Sequence, residues 1–277
     1  MSPPIRQPHL MYHISLIGTG IDINAHLTPE AVEAIQSCRK IFHLTAHHDR
    51  LVELCPGEVV NWADLYTATH DTSVYTTMAD ILLESAEQAP GVGWVTYGHP
   101  LVLVDTSRMV VAKARARGLD IRVISGISSI DVLLQHLLLE TGLAGLQVLE
   151  VNHMVLYDLS PNPFVSTLVM QIAAYGAASR TGTRTNHPER FVGLRDFLLR
   201  TYPPQHPLVL ITAPFQSDMD LIMRQITIAD LPSAHALIHT GMSMYIPARG
   251  GRKPNPEFLL QLESETQAFI ADGVSHG

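Results

Sequence analysis

The chain has 277 residues, of which 46% are hydrophobic and 16% charged, and its formal net charge is -8. This charge, together with the lack of any Lys/Arg cluster, argues against a nucleic-acid-binding surface, and no apolar run reaches the roughly 20 residues that a membrane span requires. The two cysteines form no Cys-x-x-Cys pair, which indicates a reducing, cytoplasmic location and no sulfur-ligated metal.

The first predicted strand covers residues 13–18 and ends in Gly18-Thr19-Gly20. A dinucleotide-binding fingerprint needs a third glycine three residues later, where this chain has Ile23. No helix opens directly at the glycines either, because the next helix signal is Thr28-Pro29-Glu30, an N-cap followed by Pro at the first turn. A nicotinamide-dependent oxidoreductase therefore stays open as an alternative function but is disfavoured.

A second loop follows the predicted strand 92–97, which breaks at Gly98-His99-Pro100. Gly permits backbone angles that a strand cannot use, and Pro fixes φ while removing a donor. The apolar residues 101–104 come directly afterwards and are too hydrophobic for an ordinary solvent loop. The pattern fits a buried turn between core elements, and it fits equally a kinked loop that grips a small molecule through main-chain groups.

A third loop joins a strand end at Ile124 to a helix start. Ser128 is predicted to cap that helix with Asp131 as its capping partner. The Ser128 and Ser129 hydroxyls would then lie at the carboxyl edge of a sheet, where ligands collect in open α/β folds.

The alternation of strand-like and helical runs in the first half of the chain predicts a parallel sheet. Its strand-like runs are 13–18, 40–45, 57–61, 92–97 and 120–125, with helical patterns at 28–38, 73–87 and 105–117. In the second half the strand-like runs are 146–151, 167–173, 207–213 and 235–247, and an amphipathic helix is predicted at 257–270. We predict an α/β fold with two α/β/α domains at 12–125 and 126–249, a flexible N-terminus at 1–11, and a linker and C-terminal helix at 250–277.

Together, in this order and spacing, the three loops resemble those of the tetrapyrrole methylase superfamily, which are class III S-adenosylmethionine-dependent methyltransferases with the cofactor between two α/β domains. The resemblance rests on Ile17–Ile21, Leu27–Glu30, Tyr97–Pro100, Gly126–Ser129 and Thr240–Pro247. Tyr97–Pro100 and Tyr245–Pro247 are most similar to the borosin branch, whose members N-methylate peptide backbones. The chain departs from the family at Leu101, where many relatives have Gly, and at Ser125, where many have Pro.

The resemblance implies a cofactor site for S-adenosylmethionine, held largely through backbone groups. The matching positions are Gly18, His99, Pro100, Leu101, Leu103, Ser128, Ser129, Gln171, Ala213, Thr240, Met242 and Ser243.

Methyl transfer needs an oriented acceptor and a group that handles its proton, without a metal or a covalent nucleophile. The resemblance places Tyr66, Tyr75 and Tyr97 on the acceptor side, and His70 is a candidate base because the pKa of a histidine lies near neutrality. Tyr75 also fits a packing role, since apolar residues follow it at helical spacing. If none of these groups handles the proton of the acceptor, Glu150 and His153 are the next candidates for that role. The 15 histidines show no ligand motif, so no metal is predicted.

The acceptor is expected to be a separate, neutral molecule, because the 30 residues after Pro247 contain no long apolar peptide and no cationic cluster suits a multi-carboxylate tetrapyrrole. The interpretation that we favour is a small secondary metabolite methylated at C3 of an indole, which would give a pyrroloindoline. The alternative acceptor is a backbone amide of a separate peptide. A further alternative is that the chain is a non-catalytic, cofactor-binding regulatory protein.

The resemblance to the family and the hydrophobic composition further predict a homodimer. Residues 180–188 are predicted to form a surface loop or a mobile flap.

Overall fold

The computed structural model describes residues 12–67, 71–177, 187–212, 214, 220–251 and 253–275. Two five-stranded sheets are formed by these residues. The first contains β1 (Ile14–Gly18), β2 (Lys40–His43), β3 (Glu58–Asn61), β4 (Val92–Thr96) and β5 (Ile121–Ile124). The second contains β6 (Leu146–Glu150), β7 (Ser166–Met170), β8 (Pro207–Thr212), β9 (Ile222–Thr227) and β10 (Met242–Ile246).

The helices cover or flank these sheets. They are α1 (Ile23–His26), α2 (Pro29–Gln36), α3 (His48–Leu54), α4 (Asp71–Gln88), α5 (Asp105–Ala116), α6 (Ser129–Leu137), α7 (Thr141–Ala144), α8 (Val151–Leu156), α9 (Pro188–Leu199) and α10 (Pro256–Ser275). Short 3-10 turns lie at Ala63–Thr67, Ile172–Ala174 and His235–Leu237. Within the described ranges, no helix is both long and apolar enough to cross a bilayer.

The first sheet is parallel throughout, in the order β3-β2-β4-β1-β5. Its two central strands, β1 and β4, are buried along their whole length, as expected when helices cover both faces of a parallel sheet. One face packs against α4 and α5, and the other packs against α2 and α3. The predicted parallel sheet is confirmed, and its carboxyl edge brings together the loops after β1, β4 and β5.

The second sheet is mixed, in the order β6-β7-β10-β8-β9. Strands β6 and β7 are parallel, and the other described pairs are antiparallel. The predicted run 235–247 contains a 3-10 turn and then β10, while β9 was not predicted because its first four residues are exposed on both faces. Helices α8 and α9 were not predicted either. The two α/β units agree with the predicted fold class.

A small apolar cluster connects the two halves of the chain. Leu133 of α6 packs with Leu168, Met170 and Ile211 of the second sheet, and Leu103 of the loop after β4 lies against the same cluster. The carboxyl edge of the first sheet therefore faces the second sheet.

Candidate active site

Glycines lock the loops after β1, β4 and β5 together. Gly98 donates its N–H to the Gly20 carbonyl at 2.8 Å, and Gly20 donates to the Gly98 carbonyl at 3.2 Å. A Cβ on Gly18 would lie 2.4 Å from the Gly98 carbonyl oxygen, and a Cβ on Gly126 would lie 2.3 Å from that same atom. Real Cβ atoms do not approach so closely, so this junction requires glycine at these positions.

A cleft opens beside the glycine junction, with about 620 Å³ of empty space, part of it open to solvent. Residues from both halves line it: Ile21, Tyr97, Gly98, His99, Val102, Leu103, Val104, Ser129, Met170, Gln171, Gly241 and Ser243. The cleft brings together six of the site residues predicted from the sequence: His99, Leu103, Ser129, Gln171, Ser243 and Tyr97.

Two residues of the cleft wall have strained backbones. Leu103 and Gln171 both have φ of 59°, a left-handed conformation that costs a non-glycine residue energy and often marks a ligand site. The side chain of Gln171 carries a second unusual feature, because its Oε1 is buried and accepts no hydrogen bond within the described residues. A buried acceptor without a donor is costly, so this atom is well placed to accept from a bound ligand.

The predicted capping box at the start of α6 is confirmed. Ser128 donates its hydroxyl to the Asp131 carboxylate at 2.6 Å and its N–H at 2.7 Å, and accepts from the Asp131 N–H at 3.3 Å. Ser128 is thereby buried and committed to the cap, whereas Ser129, the next residue, lines the cleft.

The turn at Gly98-His99-Pro100 determines what His99 offers. His99 Nδ1 accepts the N–H of Leu101 at 3.1 Å, so the neutral ring carries its proton on Nε2 and acts as a donor there. Pro100 is buried beside Gly18, with its Cδ close to the place a Gly18 Cβ would occupy, and Leu101 is half exposed. In the described part of the chain the cleft wall includes none of Gly18, Pro100 and Leu101, although Gly18 and Pro100 lie against each other beside it.

The predicted positions around β10 divide between two faces. Successive side chains of a strand point to opposite faces, so Met242 is buried in the core of the second unit while Ser243 lines the cleft. Met242 can therefore meet a ligand through its backbone and not through its side chain. Thr240 is exposed and precedes the cleft residue Gly241. Ala213 lies outside the described residues.

The tyrosines predicted on the acceptor side also divide, between the cleft and the core. Tyr97 is 59% exposed and lines the cleft, whereas Tyr75 is 8% exposed and packs in the core between the first sheet, α4 and α5. The position of Tyr75 favours the packing role over a catalytic one. Tyr66 lies in the 3-10 turn Ala63–Thr67, but its side chain, His70 and most of the predicted flap at 180–188 are outside the described residues.

Glu150 and His153, the remaining candidates for accepting the proton, each make a structural contact. The carboxylate of Glu150 accepts the N–H of His153 at 2.8 Å and so caps α8. His153 is exposed and stacks edge-on against Tyr157. No cluster of three or more His, Cys, Asp or Glu that could hold a metal occurs among the residues that the structure describes.

Sequence reasoning missed a histidine pair at the end of β2, one member of which is buried. His43 is fully buried, and its Nε2 lies 3.0 Å from Nδ1 of His48, with the rings stacked. The N–H of Thr45 donates to His43 Nδ1 at 3.3 Å, which leaves the His43 proton on Nε2. Burial first, and then the neighbouring His48, lowers the pKa of His43 to about 4. The available signal was a histidine at the carboxyl end of a predicted strand.

Comparison with known proteins gives a consistent result. A family model described as "Tetrapyrrole (Corrin/Porphyrin) Methylases" matches residues 13–213. The chain is 26% identical over 256 residues to a methyltransferase/type I borosin cyclic peptide precursor of Serendipita vermifera subsp. bescii, covering 90% of this chain and 62% of that protein. It is 24% identical over 257 residues to the methyltransferase/omphalotin A precursor of Omphalotus olearius, covering 90% of this chain and 61% of that protein.

Among solved structures, the chain is similar to uroporphyrin-III C-methyltransferase from Thermus thermophilus. One structure of that protein has a TM-score of 0.60 at 20% identity, covering 84% of this chain and 90% of that one. A second, in complex with S-adenosyl homocysteine, has a TM-score of 0.59 at 20% identity, covering 84% and 96%. These similarities establish the fold. The chain spans about three fifths of the length of the curated relatives named above.

Proposed function

The chain belongs to the tetrapyrrole (corrin/porphyrin) methylase family, and on that premise we propose that it is an S-adenosylmethionine-dependent methyltransferase whose cofactor binds in the cleft between the two sheets. The observation that carries the assignment is Gln171, a strained residue on the cleft wall whose buried Oε1 has no donor among the described residues. An amino group of an adenine ring is the kind of donor that this oxygen lacks.

The rest of the cleft fits the same ligand. Leu103 and Met170 provide apolar surface for a flat ring, and the Ser129 and Ser243 hydroxyls are available for the polar parts of a nucleoside. His99 presents an N–H donor on Nε2, which suits a carboxylate or a ribose oxygen. Bound there, S-adenosylmethionine would supply a methyl group already activated for in-line displacement, and the chain would mainly orient the acceptor.

The acceptor side is built around Tyr97. Its half-exposed ring borders the cleft, so its face can hold an aromatic or amide acceptor and its hydroxyl can orient the nucleophilic atom. Tyr66 and His70 remain proposed partners for that task. Each would act by holding the acceptor or by taking its proton, the usual role of a positioned acid–base group.

For the acceptor itself, we favour C3 of an indole. In this reaction C3 forms the new bond to the methyl carbon, the sulfur–methyl bond breaks with its electron pair left on sulfur, and a side-chain nitrogen closes on C2 as it loses its proton to a base. The product would be a pyrroloindoline. A neutral, aromatic-edged cleft supports an acceptor of this kind.

The similarity to cyclic-peptide precursors favours a second candidate, methylation of a backbone amide nitrogen in a peptide. Both acceptors are neutral and planar at the reacting atom, and an uncharged cleft wall suits either. They differ in the proton to be removed, since the amide nitrogen must lose its own proton before or during transfer.

The proposal is tested by incubating the purified chain with S-adenosylmethionine and either an indole bearing a side-chain amide or an apolar peptide. Mass spectrometry would detect the gain of one methyl group, and NMR would distinguish a quaternary C3 from an N-methyl amide. S-adenosylhomocysteine binding by calorimetry without turnover of any acceptor would support the non-catalytic alternative. A chain that binds neither S-adenosylmethionine nor S-adenosylhomocysteine would contradict the cofactor assignment.

A further inference from the structure

The turn that follows Gln171 is held by two side chains from other helices. Arg190 of α9 donates to the Ala173 carbonyl at 2.6 Å and to the Tyr175 carbonyl at 2.7 and 2.9 Å. Asn152 of α8 donates to the Ala174 carbonyl at 2.9 Å and accepts the Gly176 N–H at 2.8 Å. Four successive residues of the turn are therefore tied to the body of the protein by their backbone groups.

The topology explains why these side chains meet the turn. β6 and β7 are parallel and in register, with Glu150 opposite Met170. Their carboxyl ends therefore lie at the same edge of the sheet, so that Asn152, just beyond β6, is beside the turn just beyond β7. Ile172, the first residue of the turn, is fully buried in the core of this unit.

A strained residue persists only where its surroundings hold it in place. Gln171 is in the left-handed region, with φ of 59° and ψ of 37°, and it connects β7 to the turn. Its carbonyl accepts the Ala174 N–H at 2.8 Å, so the position of the turn and the conformation of Gln171 are coupled. If the turn moved, Gln171 could relax toward an ordinary conformation and its side chain would leave the cleft wall.

We propose that Asn152 and Arg190 are positioning residues, which act through the clamped turn to hold the Gln171 amide toward the cofactor in the cleft. The inference rests on the proposed function, because it takes the cofactor as the ligand of Gln171. Neither residue lines the cleft within the described chain, so neither is assigned a contact with the ligand.

The test measures S-adenosylhomocysteine affinity by calorimetry for Asn152→Ala and Arg190→Lys, each alone and combined with Gln171→Gly. Glycine adopts a positive φ without strain and has no amide to position. With Gln171 present, we expect the dissociation constant to rise roughly tenfold for each variant, a size set by the strain that the clamp must hold. In the Gln171→Gly background, the same substitutions should cause no further loss.

Asn162→Ala is the matched control. Its side chain also fixes a backbone turn, accepting the Phe164 N–H at 3.0 Å, but this turn precedes β7 and is at the opposite end of the strand. It should lower the melting temperature without changing the affinity. Unchanged affinity in Asn152→Ala and Arg190→Lys, or an equal loss in the Gln171→Gly background, would overturn the inference. A wild-type chain that does not bind S-adenosylhomocysteine would instead refute the proposed function.

Discussion

At the scale of single residues, burial decides what each polar side chain does. Tyr75 and Tyr97 both matched positions on the acceptor side, yet one is inside the core and the other borders the cleft. Ser128 and Ser129 are adjacent, yet the first caps α6 and the second faces the cleft. Residue type and spacing alone do not predict which member of each pair faces the cleft.

The two tyrosines give a direct prediction about turnover. Tyr97→Phe removes the hydroxyl from the cleft and should reduce turnover by about 10²–10⁴-fold if this hydroxyl orients the acceptor or handles its proton. Tyr75→Phe keeps the ring volume in the core and should leave turnover near normal. Turnover at saturating cofactor, together with S-adenosylhomocysteine affinity, is the measurement. If Tyr97→Phe has normal turnover, the proton is handled by another residue.

His43 gives a prediction about stability and pH. Its pKa is lowered from 6.5 to about 4 in the folded protein, so between these values the unfolded chain binds the proton and the folded chain does not. The free energy of unfolding should therefore fall as pH decreases from 6.5 to 4, by roughly 3 kcal/mol in total.

Urea denaturation at several pH values would measure this effect. His43→Gln removes the titrating group, and its stability should depend less steeply on pH over the same interval. Equal pH dependence in wild type and His43→Gln would contradict the assignment.

At the scale of elements, the site depends on strand ends that meet at one sheet edge. β1, β4 and β5 are neighbours in the first sheet, so the loops after them must pack against one another. The glycines at the junction allow backbone to approach backbone directly, with the Gly98 carbonyl at the centre.

Gly126→Ala should separate these loops. The new Cβ would lie 2.3 Å from the Gly98 carbonyl oxygen and 2.7 Å from the Gly20 amide nitrogen, and backbone atoms cannot move aside as a flexible side chain would. We expect a loss of about 1–3 kcal/mol in the free energy of unfolding, as for other overpacked sites, together with loss of S-adenosylhomocysteine binding. Gly250→Ala is the matched control, since a Cβ on Gly250 would meet no described atom within 4 Å. Undiminished ligand affinity in Gly126→Ala would contradict a functional junction.

The elements also differ in how well their sequences predict them. β1 and β4 were predicted because most of their residues are apolar and a glycine lies at or just after the end of each strand. β9 was missed because an exposed edge strand has no burial pattern to produce alternation. α9 follows a polar segment and its apolar residues are distributed around much of its circumference, so the amphipathic signal is weak.

At the scale of the whole molecule, the assembly remains a prediction. Several large apolar side chains stay exposed, among them Leu138, Leu156 and Tyr157 at 92%, 69% and 65%. Single apolar side chains of this kind are normal on a protein surface, so the predicted homodimer rests on the family resemblance and the hydrophobic composition. Light scattering at micromolar concentration should give twice the chain mass of 30.5 kDa, and a monomer mass would reject the prediction.

The sequence by itself determined the alternating strand–helix order of the first half, the capping of α6 and the three loops of the site, because each depends on local backbone preferences and periodicity. The tertiary structure alone decided which predicted side chains share the cleft. It buried Tyr75 and Met242, exposed Tyr97, paired His43 with His48, and left Gln171 strained, with an oxygen that has no donor in the described chain. These outcomes depend on contacts between residues far apart in the chain, and such contacts leave no periodic pattern in the sequence.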